Sequence, residues 1–200
     1  MTLSLREKRR QETELQIQKA TLELAKKSGL DNVTTDEIAA ESGVSTRTFF
    51  NYYPNKEAAA IGHPPAFTEA QMDALRNGAG PLAIDLKQFL DSHIAVLSER
   101  EDIIRMVGNV LRSNDKARGI LEGILGAERR ALTETLLSRV YNRQAAASLA
   151  GNVTSAIGAA IFLWQQKEDM TLGTALDVVW DGLIDASRLL SSTQNNEAQS

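Results

Sequence analysis

Apolar positions along the chain recur mostly at three- and four-residue spacings, the period of helices with one buried face. Leu15, Ile17, Leu22, Leu24 and Ala25 set the first run and Gly29 closes it, which predicts a helix over Leu5–Ser28. Thr34 with Glu37 three residues on is a capping box, so a second, short helix starts there and Gly43 stops it. Ser45 caps a third helix, Thr46–Tyr53, which Pro54 ends, and Lys56 and Glu57 open a fourth. Gly62, Pro64, Pro65, Gly78, Gly80 and Pro81 then break the pattern, leaving room for one short helix over Thr68–Arg76. Pro81 suits the first turn of a longer helix over 81–98. Periodicity resumes over 103–112 and 117–140, and two long helices follow at 144–166 and 171–190. No stretch alternates with the period of a strand, so the fold class is all-α. Residues 191–200 read as a polar, frayed tail.

Composition narrows the chemistry. The chain has 200 residues, 42% apolar and 24% charged, the balance of a globular chain rather than a disordered one. It has no cysteine, which excludes disulfides and thiolate metal sites, and only two histidines, His63 and His93. No phosphate-binding loop, dinucleotide fingerprint, nucleophile elbow or metal-spaced cluster stands in the sequence, so no enzyme activity, metal or cofactor is expected. Asp177, Asp181 and Asp185 recur every four residues and read as a solvated helix face. The start, MTLSLREKRRQ, lacks the apolar core of a signal peptide, so a cytoplasmic location is expected by default. Residues 144–166 carry no charge and are long enough for a membrane span, but Asn152, Thr154 and Ser155 make them too polar for one. The net charge is −4, yet it is unevenly spread: residues 1–56 hold nine Lys and Arg against eight Asp and Glu, residues 57–200 thirteen against eighteen. Arg6, Lys8, Arg9 and Arg10 face Glu7 alone.

Residues 33–56, VTTDEIAAESGVSTRTFFNYYPNK, carry the functional argument. Two short helices joined by Ser42-Gly43-Val44 have the length and turn of a helix-turn-helix. Ile38, Ala39, Val44 and Phe49 are expected inside it. The second helix then exposes Thr46, Arg47, Thr48 and Asn51. Such a helix fits the major groove of B-DNA, where Arg47 can contact guanine, Asn51 adenine, and the threonine methyls thymine. Thr34, Thr35 and Ser45 stand at helix starts, whose free N–H groups favour phosphate. Tyr52 offers a phenol and Lys56 a point charge to the same backbone, and the Arg6–Arg10 cluster is a candidate basic arm.

This block resembles the DNA-binding domain of the TetR family of bacterial transcriptional regulators. The matching residues are Thr34/Thr35, Ile38-Ala39, Gly43-Val44-Ser45, Thr48-Phe49-Phe50, Tyr52-Tyr53 and Lys56-Glu57. Phe50 departs from the pattern, since many members carry there a tyrosine that contacts phosphate. A phenyl cannot donate that bond, so Phe50 is expected to pack and Tyr52 to take the phosphate. The resemblance implies residues 1–56 as a DNA-binding domain, 57–190 as a helical regulatory and dimerisation domain, and 191–200 as the tail. It further implies a homodimer on a palindromic operator in double-stranded DNA, with repression relieved by a small-molecule effector. Candidate pocket residues are Phe67, Met72, Phe89, His93, Met106, Val110 and Trp164. Candidate dimer residues are Ala147, Gly151, Ser155 and Ala159 on one helix and Leu172, Leu176, Val179 and Leu183 on the next. A different reading makes the apolar C-terminal helices the docking face of an adaptor for another protein.

Overall fold

The computed structural model of the chain describes residues 4–197, with side chains for residues 4–191. Its helices are α1 Leu5–Ser28, α2 Thr35–Glu41, α3 Thr46–Tyr52, α4 Lys56–Ile61, α5 Glu69–Asn77, α6 Leu82–Ser98, α7 Glu101–Ser113, α8 Asp115–Leu136, α9 Arg143–Gln166 and α10 Leu172–Glu197. No strand occurs among the described residues, so the fold is all-α there. A short 3-10 turn over Leu30–Asn32 joins α1 to α2 and has no counterpart in the apolar pattern.

Local chemistry sets most of the ends. Thr34 Oγ1 accepts from the Glu37 N–H at 3.2 Å while the Glu37 carboxylate accepts from the Thr34 N–H at 2.8 Å, closing the capping box. These bonds from Thr34 hold the Glu37 carboxyl below its usual range. Ser4 and Glu7 close the same box at the start of α1, so Arg6–Arg10 form its first turns rather than an extended arm. Pro81 sits one position before α6, not inside it. The helix expected to reach residue 140 stops at Leu136 because the chain turns there to aim Arg139 inward. The Arg139 guanidinium donates to the carbonyls of Leu75 and Gly80 and to the Asp85 carboxylate, at 3.3, 2.7 and 2.5 Å. These three contacts take the place of one more turn of helix, and the Arg139–Asp85 pair among them is largely shielded from water. At the other end, α10 continues through 191–197, so that part of the expected tail is helical, and residues 198–200 lie outside the described residues.

Packing divides the chain into two compact units. The first contains the residues up to Pro65 together with Arg100–Ile124. Its core has two clusters. Ile17, Val33, Ile38, Ala39, Phe49, Tyr53 and Ala59 hold α1–α4 together. Leu22, Leu30, Ile61, Ile103, Val110 and Ala117 seat α7 and the start of α8 against α1 and α4. This packing unit is therefore larger than the segment 1–56. Gln18, buried in α1, donates to the Ile61 carbonyl at 2.9 Å and fixes the end of α4. Gly62 follows at φ 64, and a Cβ there would meet the Gln18 amide at 2.3 Å, so only glycine fits.

The second unit contains Ala66–Glu99 and the residues from Leu125 onward. Leu90, Leu132, Leu136, Ala150, Val153, Trp164, Leu172 and Leu176 are its buried centre. Among the described residues α9 is long and apolar enough to cross a membrane. Its line Ala146, Ala150, Val153, Ala156, Ala160 and Trp164 is buried within the unit, as in a core helix.

Candidate nucleic-acid interface

The first unit builds its candidate site on α2, the turn and α3. Gly43 takes φ 69, the left-handed conformation that reverses the chain between the two helices. Val44 then donates its N–H to the Ala39 carbonyl at 3.0 Å and packs on the cluster below. Phe49 is fully buried and fixes the rotation of α3 about its own axis. The opposite face is thereby committed to solvent. Arg47, Phe50 and Asn51 are exposed on it, one turn apart. Neither Arg47 nor Asn51 spends its side chain on another described residue, so both keep their donors for a ligand.

The threonines of α3 are arranged differently. Ser45 accepts from the Thr48 N–H at 3.0 Å as the helix cap, and the two hydroxyls lie 2.8 Å apart. Thr46 donates its hydroxyl to Asp36 of α2 at 2.6 Å. Both threonines are half-buried. Their hydroxyls knit α2, the cap and α3 together, and what remains for a ligand is a lone pair and a methyl.

Among the expected phosphate residues, Thr34 and Ser45 are exposed at the starts of their helices and Thr35 lies beside Thr34. Tyr52 is half-buried with the Arg10 guanidinium 6.0 Å above its ring, and Glu14 holds Arg10 there at 3.0 Å. Lys56 has a structural task that the sequence did not signal. Its ammonium donates to the carbonyls of Asp31 and Val33 at 2.8 and 3.0 Å and so ties the turn before α2 to the start of α4. Glu57, buried beside it, pairs with Lys116 at 3.0 Å. The two adjoining tyrosine positions separate cleanly: Tyr53 is buried, donates to the Glu14 carbonyl at 3.2 Å and stacks on His63. Burial, with Glu14 nearby, pushes its phenol up to about 12. Phe50 does not pack as expected. It is 52% exposed and touches Phe49 only by an edge, because Phe49 already fills the core position.

The expected pocket residues are divided between the two units. Phe67 and Met72 line a cleft in the second unit, and Phe89 and His93 lie behind Phe67 with ring centroids 4.7 Å from it. Met106 and Val110 belong to the first unit and line a different cavity of about 220 Å³ with Leu22 and Lys26. Trp164 is fully buried core and lines neither. The expected dimer residues also divide. Ser155 and Ala159 are exposed on α9, and Ala147, Gly151, Val179 and Leu183 are partly so. Leu172 and Leu176 are fully buried inside their own unit and so are unavailable to a second chain. Phe162, 65% exposed on α9, and Val178, 52% exposed on α10, were missed, since periodicity alone assigns large apolar residues to the core.

Residues 17–58 match the model of the bacterial regulatory proteins of the tetR family. No curated protein matches the chain. Among solved structures, a regulator assigned to the TetR family from Mesorhizobium loti superposes with a TM-score of 0.51 at 14% identity, covering 89% of this chain and 98% of that one. A TetR-like transcriptional regulator from a Rhodococcus species gives 0.52 at 16% identity, covering 86% and 96%. These likenesses show a shared fold, while the matched segment contains the two helices, the turn and the caps described above. Over residues 17–58 the chain is thus similar to the tetR family of bacterial regulatory proteins, and in its fold to solved TetR-like regulators.

Proposed function

We propose that the chain is a repressor that binds a palindromic operator as a homodimer and is released by a small-molecule effector held in its second unit. The observation that carries this reading is the exposed face of α3, where Arg47 and Asn51 keep their side-chain donors unspent above a rotationally fixed helix. Those two side chains suit bidentate contacts to guanine and adenine in the major groove. Thr46 and Thr48 contribute methyls. Thr34, Thr35, Ser45, Tyr52 and Lys56 take the phosphates that set the helix at its depth. Two reading heads on a twofold axis would meet half-sites about 34–36 Å apart. The second copy is held through the exposed line of α9, with Ser155, Ala159 and Phe162, and the neighbouring Val178 of α10. An effector relieves repression by binding the DNA-incompetent arrangement more tightly than the competent one.

The test is a mobility-shift series on DNA selected from a random duplex pool. Arg47→Ala is expected to weaken the selected sequence by about 1–3 kcal/mol and to relax preference at one base pair in each half-site. An Arg47→Ala protein with unchanged preference would remove the base-reading role from α3. The adaptor reading remains the competitor. It is distinguished by light scattering, because a stable homodimer already occupies the exposed line of α9.

A further inference from the structure

The cleft that Phe67 lines is not electrically neutral. It has a volume of about 350 Å³ and is walled by Phe67, Met72, Ala131 and Thr135, with Glu69, Glu128 and Glu134 as its acids and Arg76 as its one cation. Arg76 is already engaged by Asp73 and lies 3.6 Å from Glu69. Glu134 is matched by Arg143 at 3.0 Å. Glu128 is the exception: it accepts only the Phe67 N–H, at 3.2 Å, and meets no cation among the described residues. A half-buried carboxylate with one neutral donor has lost part of its hydration without gaining a counter-charge. Beside it stands the aromatic group Phe67, Phe89 and His93. His93 is 5% exposed and its Nδ1 is buried with no hydrogen-bond partner. Burial holds its pKa down to about 4, so the imidazole is neutral near pH 7 and adds no positive charge to this wall.

We propose that this cleft binds an organic cation with an aromatic or branched apolar body, its charge against Glu128 and its body against Phe67 and Met72. The assignment rests on the effector reading above and names the chemical class of the ligand. A cation there gives Glu128 its missing counter-charge and is attracted by the face of the Phe67 ring, whereas an anion meets an excess of carboxylates.

Isothermal titration with two ions of one shape and opposite charge, tetraphenylphosphonium and tetraphenylborate, tests the claim on the full chain. The phosphonium is expected to bind once per chain and the borate not to bind. Glu128→Gln should weaken the phosphonium at least tenfold while leaving the thermal unfolding of the free protein unchanged. Should that variant fold poorly, Glu134→Gln on the exposed rim gives the same reading with a smaller, two- to fivefold, loss. If the borate binds as well as the phosphonium and Phe67→Ala abolishes both, the cation class is overturned while the cleft stands as an effector site. If neither ion binds, or if Glu128→Gln leaves phosphonium binding unchanged, the cation class is overturned; if the phosphonium binds and neither Phe67→Ala nor Glu128→Gln changes its binding, the use of this cleft for an effector is overturned as well.

Discussion

At the level of single residues, side chains that read as functional in the sequence also hold α3 and its neighbours in place. Lys56 reads as a phosphate contact in the sequence, and in the structure its ammonium satisfies two backbone carbonyls. Lys56→Ala should therefore lower stability in urea as well as weaken DNA binding, whereas a purely electrostatic role would change only the salt dependence of binding. Ser45→Ala removes the cap of α3 and should cost about 1 kcal/mol in the same measurement. Phe49→Ala empties a fully buried position and should cost about 3–5 kcal/mol. His93 makes a prediction with a sign. The folded chain keeps it neutral down to about pH 4, whereas an unfolded histidine takes up its proton near its ordinary value of 6.5. Between those values the unfolded state binds the extra proton, so stability falls as pH falls. Thermal unfolding should show a loss of about 2 kcal/mol between pH 7 and pH 5 that His93→Leu removes.

At the level of elements, what the sequence discloses is what is decided within a few residues. The box of Thr34 and Glu37, the cap of Ser45 and the positive φ of Gly43 are local, and each stands where the spacing put it. The end of α8 was not legible, because Arg139 leaves the helix for partners more than fifty residues away in sequence. The sorting of α9 and α10 into buried and exposed lines was legible only in part. Both helices are apolar on more than one side, and periodicity cannot say which side meets the chain's own core. Leu176, expected at a dimer contact, lies inside its own unit, and Phe162 stays out, against what hydrophobicity alone suggests. This gives paired expectations for light scattering and denaturation. Phe162→Glu should produce a folded monomer with weakened operator binding. Leu176→Ala should instead lower stability by about 2–5 kcal/mol, whatever its effect on association.

At the level of the whole molecule, a chain with a net charge of −4 can still be a DNA-binding protein, because what counts is the charge presented locally. Arg10, placed over Tyr52, and Arg47 on α3 are cations of the first unit, while the cleft of the second unit is ringed by glutamates. The pocket residues were the least legible part of the sequence, since apolar and aromatic side chains look alike whether they line a cleft or fill a core. Hydroxyl-radical footprinting of the purified protein on the intergenic DNA beside its own gene addresses the central claim most directly. The account predicts two protected patches related by a dyad, about one helical turn apart, that both weaken together in Arg47→Ala. Uniform, sequence-independent protection that persists in that variant would contradict it.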